Sequence, residues 1–260
     1  MHVPRFTFHS VTFDCWQTLI HEADTRRGPR ARIERFATFI GVDEKRVAEA
    51  LATAWHAHQR AWHRRQVFAG PEMTRHALEE LGVVLDPTRE AQLIETLESE
   101  ILDHEIRAIE GTRELLTSLR AAGVRTALIC DTGFTPGRVI RQLLARVGLL
   151  DQLEVQIFSN EVGVPKPHPQ AFEHALRALA VPAQGAVHVG DLRRSDVAGA
   201  RAVGMHAVRF RGRNDDSELE TGPNAGVIDC TAAGCTPICA RPEADAIVDT
   251  YRDLATYLTR

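Results

Sequence analysis

Short apolar runs that close on acids or small polar residues alternate, along most of this chain, with helix-length stretches whose apolar positions recur every three or four residues. Residues 6–14 read as a first strand that ends on a lone carboxylate, Asp14. Residues 124–129, Val155–Phe158, residues 187–190, His206–Phe210 and Ala246–Val248 read as further strands. Amphipathic helices fall between them. Leu115, Leu116 and Leu119 mark one that stops at Gly123. Thr135 and Pro136 are predicted to open the next as N-cap and first-turn proline, with Val139, Ile140, Leu143, Leu144 and Val147 on its buried face. Pro169 starts a third carrying Phe172, Leu176 and Leu179; Val197, Ala200 and Val203 mark a fourth, and Tyr251–Leu258 closes the chain. Such alternation predicts an α/β fold, a doubly wound parallel sheet with right-handed crossovers.

Residues 21–107 break the alternation and are almost wholly helical in pattern. Ile33, Phe36, Phe39 and Ile40 share one face. Asp43 is an N-cap for a helix in which Val47, Leu51, Ala54, Trp55, His58 and Trp62 form one stripe. On that pattern Trp55 and Trp62 are expected in the core and His58 packed beside them. Residues 74–81 and 90–102 add two helices, with Pro87 as punctuation between them. The expected organisation is therefore a discontinuous core, residues 1–20 and 108–260, with an all-helical insert at 21–107. Residues 212–242 lose periodicity and read as a long loop.

Composition narrows the classes. The chain has 260 residues, 44% of them hydrophobic, and a net charge of −4. That suits one core plus a smaller insert and gives no field for nucleic acid. Arg60, His63, Arg64 and Arg65 make only a local basic cluster. No apolar run reaches the roughly 18 residues that span a bilayer, and the first residues lack a signal-peptide layout, so a cytoplasmic protein without membrane partners is expected. The five cysteines form no even framework. Cys230, Cys235 and Cys239 cluster, but no fourth zinc ligand follows His206, and they are read as loop cysteines.

Four short segments carry the chemistry. Asp14-Cys15-Trp16-Gln17-Thr18 follows the first strand, and Cys130-Asp131-Thr132-Gly133 follows the second core strand. Lys166 stands between Pro165 and Pro167, and Gly190-Asp191 is followed by Asp196. In order and spacing these resemble the four motifs of the haloacid-dehalogenase superfamily: Asp-x-Asp-x-Thr, a Ser or Thr, a Lys, and Gly-Asp-x-x-x-x-Asp. The resemblance implies a Rossmann-like core with a helical cap inserted between the first two motifs. It implies Asp14 as nucleophile and Lys166 as an electrostatic clamp. It implies Thr18, Cys130, Asp131, Thr132 and Lys166 around the phosphoryl group. It also implies Mg2+ held by Asp14, the backbone carbonyl of Trp16, Asp191 and Asp196. The substrate class would be a small phosphorylated, or halogenated, molecule, and the protein a monomer or homodimer.

Two positions depart from the pattern. Trp16 stands where family phosphatases carry their acid/base Asp, and Cys130 where they carry Ser or Thr. A carbonyl ligand at Trp16 does not depend on its side chain, so a metal site survives the change. The proton donor for the leaving oxygen does not, and such help is worth about 10²–10⁴-fold. A substrate with a good leaving group, or another donor, would answer that loss. The family's dehalogenases offer a further reading, because they place an aromatic residue at this position and form an ester on the aspartate without metal. Asp191 argues against it, since two buried acids side by side call for a cation. A Mg-dependent phosphohydrolase is the leading expectation; a 2-haloacid dehalogenase-like hydrolase and a weakly active phospho-ligand-binding relative are the alternatives.

Overall fold

A computed structural model describes residues 6–216 and 244–260 of the chain. In chain order the elements are β1 (Ser10–Phe13), β2 (Ile20–Glu22), α1 (Arg27–Ile40), α2 (Glu44–His63), α3 (Gly70–Leu81), α4 (Pro87–Ser99), β3 (Ile106–Ala108), α5 (Thr112–Ala121) and β4 (Arg125–Cys130). Then come α6 (Gly137–Arg146), β5 (Val155–Phe158), the single turn α7 (Ser159–Val162), α8 (Pro169–Leu179), β6 (Ala186–Gly190), α9 (Ala198–Ala202), β7 (His206–Phe210), β8 (Ala246–Val248) and α10 (Tyr251–Leu258). A π-helical turn, Arg193–Val197, leads into α9.

Six strands form one parallel sheet in the order β5-β4-β1-β6-β7-β8. The order reverses about β1, so the carboxyl ends of β1, β4 and β6 meet at the switch point, where open α/β sheets carry their sites. Burial on both faces explains why β1 and β6 read as continuous runs rather than alternating ones. Phe13 pairs with Leu128 on one side and Val189 on the other, which brings the residues after all three strands together.

The insert α1–α4 has its own core of Phe36, Val47, Ala54, Met73, Leu93 and Leu97. Asp43 caps α2 as expected, accepting from the amides of Lys45 and Arg46. Where the chain enters and leaves the insert it forms a feature the helical pattern did not suggest: β2 and β3 pair antiparallel, Ile20 opposite Ala108. The helix after β4 also starts differently. Pro136, not Thr135, occupies the cap position of α6, and the amide of Gly137 donates to Asn160 Oδ1 at 3.2 Å. Among the described residues no helix is long and apolar enough to cross a membrane. The predicted 212–242 loop beyond residue 216, with its three cysteines, lies outside the described residues.

Candidate active site

Asp14 follows β1, Asp131 follows β4, and Asp191 follows β6, so the sheet delivers three acids to one edge. Lys166 enters among them from the turn before α8 and is buried. Its Nζ donates to Asp14 Oδ1 at 2.5 Å and to Asp196 Oδ1 at 2.7 Å. Its amide donates to Asp131 Oδ1 at 2.8 Å, so the residue is held at both ends. Burial alone would pull the ammonium's pKa down, but Asp14, Asp196 and Asp131 hold it well above its usual value. The ion pairs therefore favour the charged form of Lys166.

Asp14 stays only 9% exposed, and burial lifts its carboxyl to about pKa 6 against the pull of Lys166. Asp191 is lifted further, to about 8, by burial and then by the charge of Asp14. Its Oδ2 accepts from Asn214 Nδ2 at 2.6 Å. Asp196 behaves oppositely. Burial would raise it, but Lys166 and His188 outweigh that and hold it below the usual carboxylate range. Its Oδ1 accepts from Lys166 and, at 3.2 Å, from His188 Nε2; its Oδ2 accepts from the Leu192 amide at 2.9 Å. With the His188 ring neutral, as its burial favours, Nδ1 accepts from Thr12 Oγ1 at 2.8 Å. A chain thus runs from Thr12 through His188, Asp196 and Lys166 to Asp14.

The residues at the second motif are engaged with protein partners. Cys130 is buried in the core cluster, and Cys15 beside it, together with burial, holds its thiol well above the usual pKa. Thr132 Oγ1 lies 2.9 Å from Ser159 Oγ and accepts from the Asn160 amide at 3.2 Å. The Thr18 hydroxyl is buried without a hydrogen-bond partner, and its carbonyl accepts from Tyr251 OH at 2.6 Å.

Beside Asp131 opens a cleft of about 390 Å³. Trp16, Asp131, Thr132, Gly133 and Phe134 line one side, and Trp55, His58, Gln59 and Trp62 of α2 line the other. This corrects the expectation for the tryptophans: Trp55 is 44% exposed, and Trp62 Nε1 donates to Asp131 Oδ2 at 2.9 Å. The stripe on α2 divides. Val47, Leu51 and Ala54 pack into the insert, while the 20-residue helix, about 30 Å long, runs past that core and turns its last two turns to the cleft. His58 is half-buried and donates from Nδ1 to the Phe68 carbonyl at 2.7 Å. A larger groove of about 1200 Å³ beside α5 and α10 carries none of the motif residues.

Pattern reading missed Trp62, Ser159, Asn160, His188 and Asn214. Ser159 and Asn160 directly follow β5, and His188 is a polar residue inside an apolar strand; either position could have drawn notice. Among the described residues no three His, Cys, Asp or Glu side chains converge as a metal cage. Asp14 and Asp191 are nevertheless two neighbouring buried carboxylates, an all-oxygen set. That set fits Mg2+, which takes one or two carboxylates and keeps several waters.

A haloacid dehalogenase-like hydrolase family model matches residues 8–204, and the chain belongs to that family. It is 40% identical over 108 residues to a glyceraldehyde 3-phosphate phosphatase of Pyrococcus abyssi, a match covering 41% of this chain and 43% of that protein. The chain thus spans less than half the length of that relative. Among solved structures it resembles a HAD phosphatase from Thermococcus onnurineus, with a TM-score of 0.62, 22% identity and coverage of 96% and 97% of the two chains. It resembles equally a 2-haloacid dehalogenase from Pseudomonas syringae pv. Tomato, with a TM-score of 0.64, 24% identity and the same coverage. The two likenesses establish a common fold and do not divide the chemistries.

Proposed function

We propose that the chain is a phosphohydrolase that transfers the phosphoryl group of a small phosphate monoester to Asp14 and then to water. The observation that carries this reading is the pairing of Asp14 with Lys166 at 2.5 Å beside a retained acid, Asp191, which follows the neighbouring strand. One oxygen of Asp14 is held by the ammonium, which leaves the other to attack phosphorus. The bond from phosphorus to the ester oxygen breaks, and that oxygen leaves with the electron pair. Water then attacks phosphorus, the bond to Asp14 breaks, the carboxylate returns and inorganic phosphate departs. The proton lost by water balances the one gained by the leaving oxygen.

Lys166 offsets charge on Asp14 and on the phosphoryl oxygens. Asp196 and His188 set the position of Lys166, and Asp131 fixes its backbone. Asp14, Asp191 and the carbonyl of Trp16 would hold Mg2+, which when bound supplies charge neutralisation between nucleophile and phosphoryl group. Asp196, with three donors already on its oxygens, is assigned to Lys166 instead. The relatives named as phosphatases support the same reaction class.

Trp16 favours a second reading, halide displacement from a 2-haloacid, because halide leaves without a proton. One experiment separates the two. Phosphate release from p-nitrophenyl phosphate is expected with Mg2+, and is expected to vanish in Asp14→Asn. Release that persists in Asp14→Asn sinks the nucleophile assignment. Halide release from 2-chloropropionate without phosphate release would favour the dehalogenase.

A further inference from the structure

We propose that the cleft between Trp16, two residues after Asp14, and α2 receives a flat aromatic ring, so that the phosphate donor is the ester of a phenol-type hydroxyl; this rests on the phosphohydrolase reading above and names its substrate class. Two independent observations lead there. The first is the wall. The chain has three tryptophans, Trp16, Trp55 and Trp62, and all of them line this one cleft. Each comes from the site's own machinery or faces it: Trp16 two residues after Asp14, Trp62 bonded to Asp131, Trp55 one turn from His58 and stacked on it at 4.9 Å. Trp55 is also the one aromatic ring among the large apolar side chains left exposed in the described residues. Phe134 adds a fourth ring to the lining, held under Arg32 at 4.3 Å. A cleft of this size holds a ring with its phosphoryl group, since ligand pockets run from about 300 Å³ upward. Aromatic faces favour offset or edge contacts with another ring.

The second observation is the supply of protons. Trp16 replaces the usual acid, and among the described residues lining the cleft no carboxylic acid or imidazolium is free to give a proton to the ester oxygen. His58 donates from Nδ1 to the Phe68 carbonyl, which leaves Nε2 of the neutral ring an acceptor. Both oxygens of Asp131 accept, from the Lys166 amide and from Trp62. Glu22, on the cleft's rim, accepts from His104 Nδ1 at 2.8 Å. With the described groups alone, the ester oxygen leaves as an anion and takes its proton from solvent. A phenol, with a pKa near 10 like tyrosine, tolerates that; an alkyl alcohol, closer to water at about 15.7, does not. Wall and missing acid therefore select the same molecule.

Steady-state kinetics of the full chain with Mg2+ on three esters tests this. Phenyl phosphate has the ring and the good leaving group, benzyl phosphate has the ring with an alkyl-type oxygen, and glycerol phosphate has neither. The expected result is a similar KM for the two ring esters, with kcat for benzyl phosphate lower by about 10²–10⁴-fold. KM for glycerol phosphate should be about 10-fold higher or more. Trp55→Ala should raise KM for both ring esters about 10-fold, a single stacking contact's worth, and Trp55→Phe should restore most of it. Equal KM for ring and glycerol esters, or a Trp55→Ala effect shared by glycerol phosphate, overturns the ring site while the phosphohydrolase reading stands. Absence of phosphate release from all three overturns both.

Discussion

The indole N–H of Trp62 donates to Asp131 Oδ2 at 2.9 Å, tying α2 of the helical insert to the loop after β4. The other oxygen of the same carboxylate holds the amide of Lys166. One acid therefore registers the insert against Lys166. Trp62→Phe keeps the ring and removes only the donor. It is expected to lower stability by about 1 kcal/mol, the worth of one hydrogen bond, and to reduce kcat/KM about 10-fold through a displaced loop. Urea unfolding and steady-state kinetics check the two numbers separately. A variant of full activity would show that Asp131 needs no anchor from the insert.

Lys166 neutralises Asp14 and Asp196 from a buried position, so removing its charge leaves acids facing one another without a counter-ion. Lys166→Met is expected to abolish turnover and to cost about 3–5 kcal/mol, as breaking a buried pair does. The double variant with Asp196→Asn should recover part of the stability and none of the activity. Recovery of neither would locate the loss in packing rather than charge.

Much of this arrangement was legible in the sequence, because periodicity reports burial and burial follows from the sheet. His206–Phe210, Ala246–Val248 and Tyr251–Leu258 form where the pattern predicted. Asp14, Lys166 and Asp191 drew notice through the order and spacing of the four motif segments, since an acid ending a strand or a lysine between prolines says little alone. The cleft was not legible. Trp55 and Trp62 share a helical stripe with Val47 and Leu51, and a stripe does not say where one core ends and another surface begins. The division of labour between Asp191 and Asp196 was hidden for a related reason. Both sit in one motif, and only the fold shows that Lys166, His188 and the Leu192 amide converge on the second.

Gly190 allows that convergence. A Cβ added there would stand 2.3 Å from Asp196 Cγ, well inside contact distance. Gly190→Ala must push the Asp196 carboxylate away from Lys166 and His188. A loss of about 1–3 kcal/mol is expected, with turnover falling at least as far as in Asp196→Asn. Urea midpoints and kcat for the single and double variants test it, because the two changes should be less than additive. Full additivity would mean that the alanine is accommodated without moving Asp196.

Asp191 gives stability a pH dependence of definite sign. Its carboxyl titrates near 3.8 when unfolded and is raised to about 8 in the fold by burial and by Asp14. Ionising it inside the fold is unfavourable, so its destabilising contribution is absent below about pH 4, grows as pH rises, and is complete above about pH 8. Asp191→Asn should therefore raise the melting temperature of the magnesium-free protein, by more at pH 8 than at pH 5. Millimolar Mg2+ should raise the wild type and leave the variant unmoved. A gain that is equal at both pH values would remove Asp191 from the set of raised acids.

Trp16 stands where the family motif carries an acid, and it lines the cleft. Trp16→Asp restores a proton donor and removes one wall, so the two consequences should appear in different constants. On benzyl phosphate kcat should rise, by up to about 10²-fold, because an alkyl oxygen gains most from protonation. On phenyl phosphate kcat should change little. KM should rise for both, because each loses a ring contact. Rapid-quench measurement of the phosphorylated enzyme separates formation from hydrolysis of the aspartyl ester, and the gain on benzyl phosphate should lie in formation. A kcat that rises equally on both esters would place the benefit in the hydrolysis step, with the new carboxylate acting as a base for water.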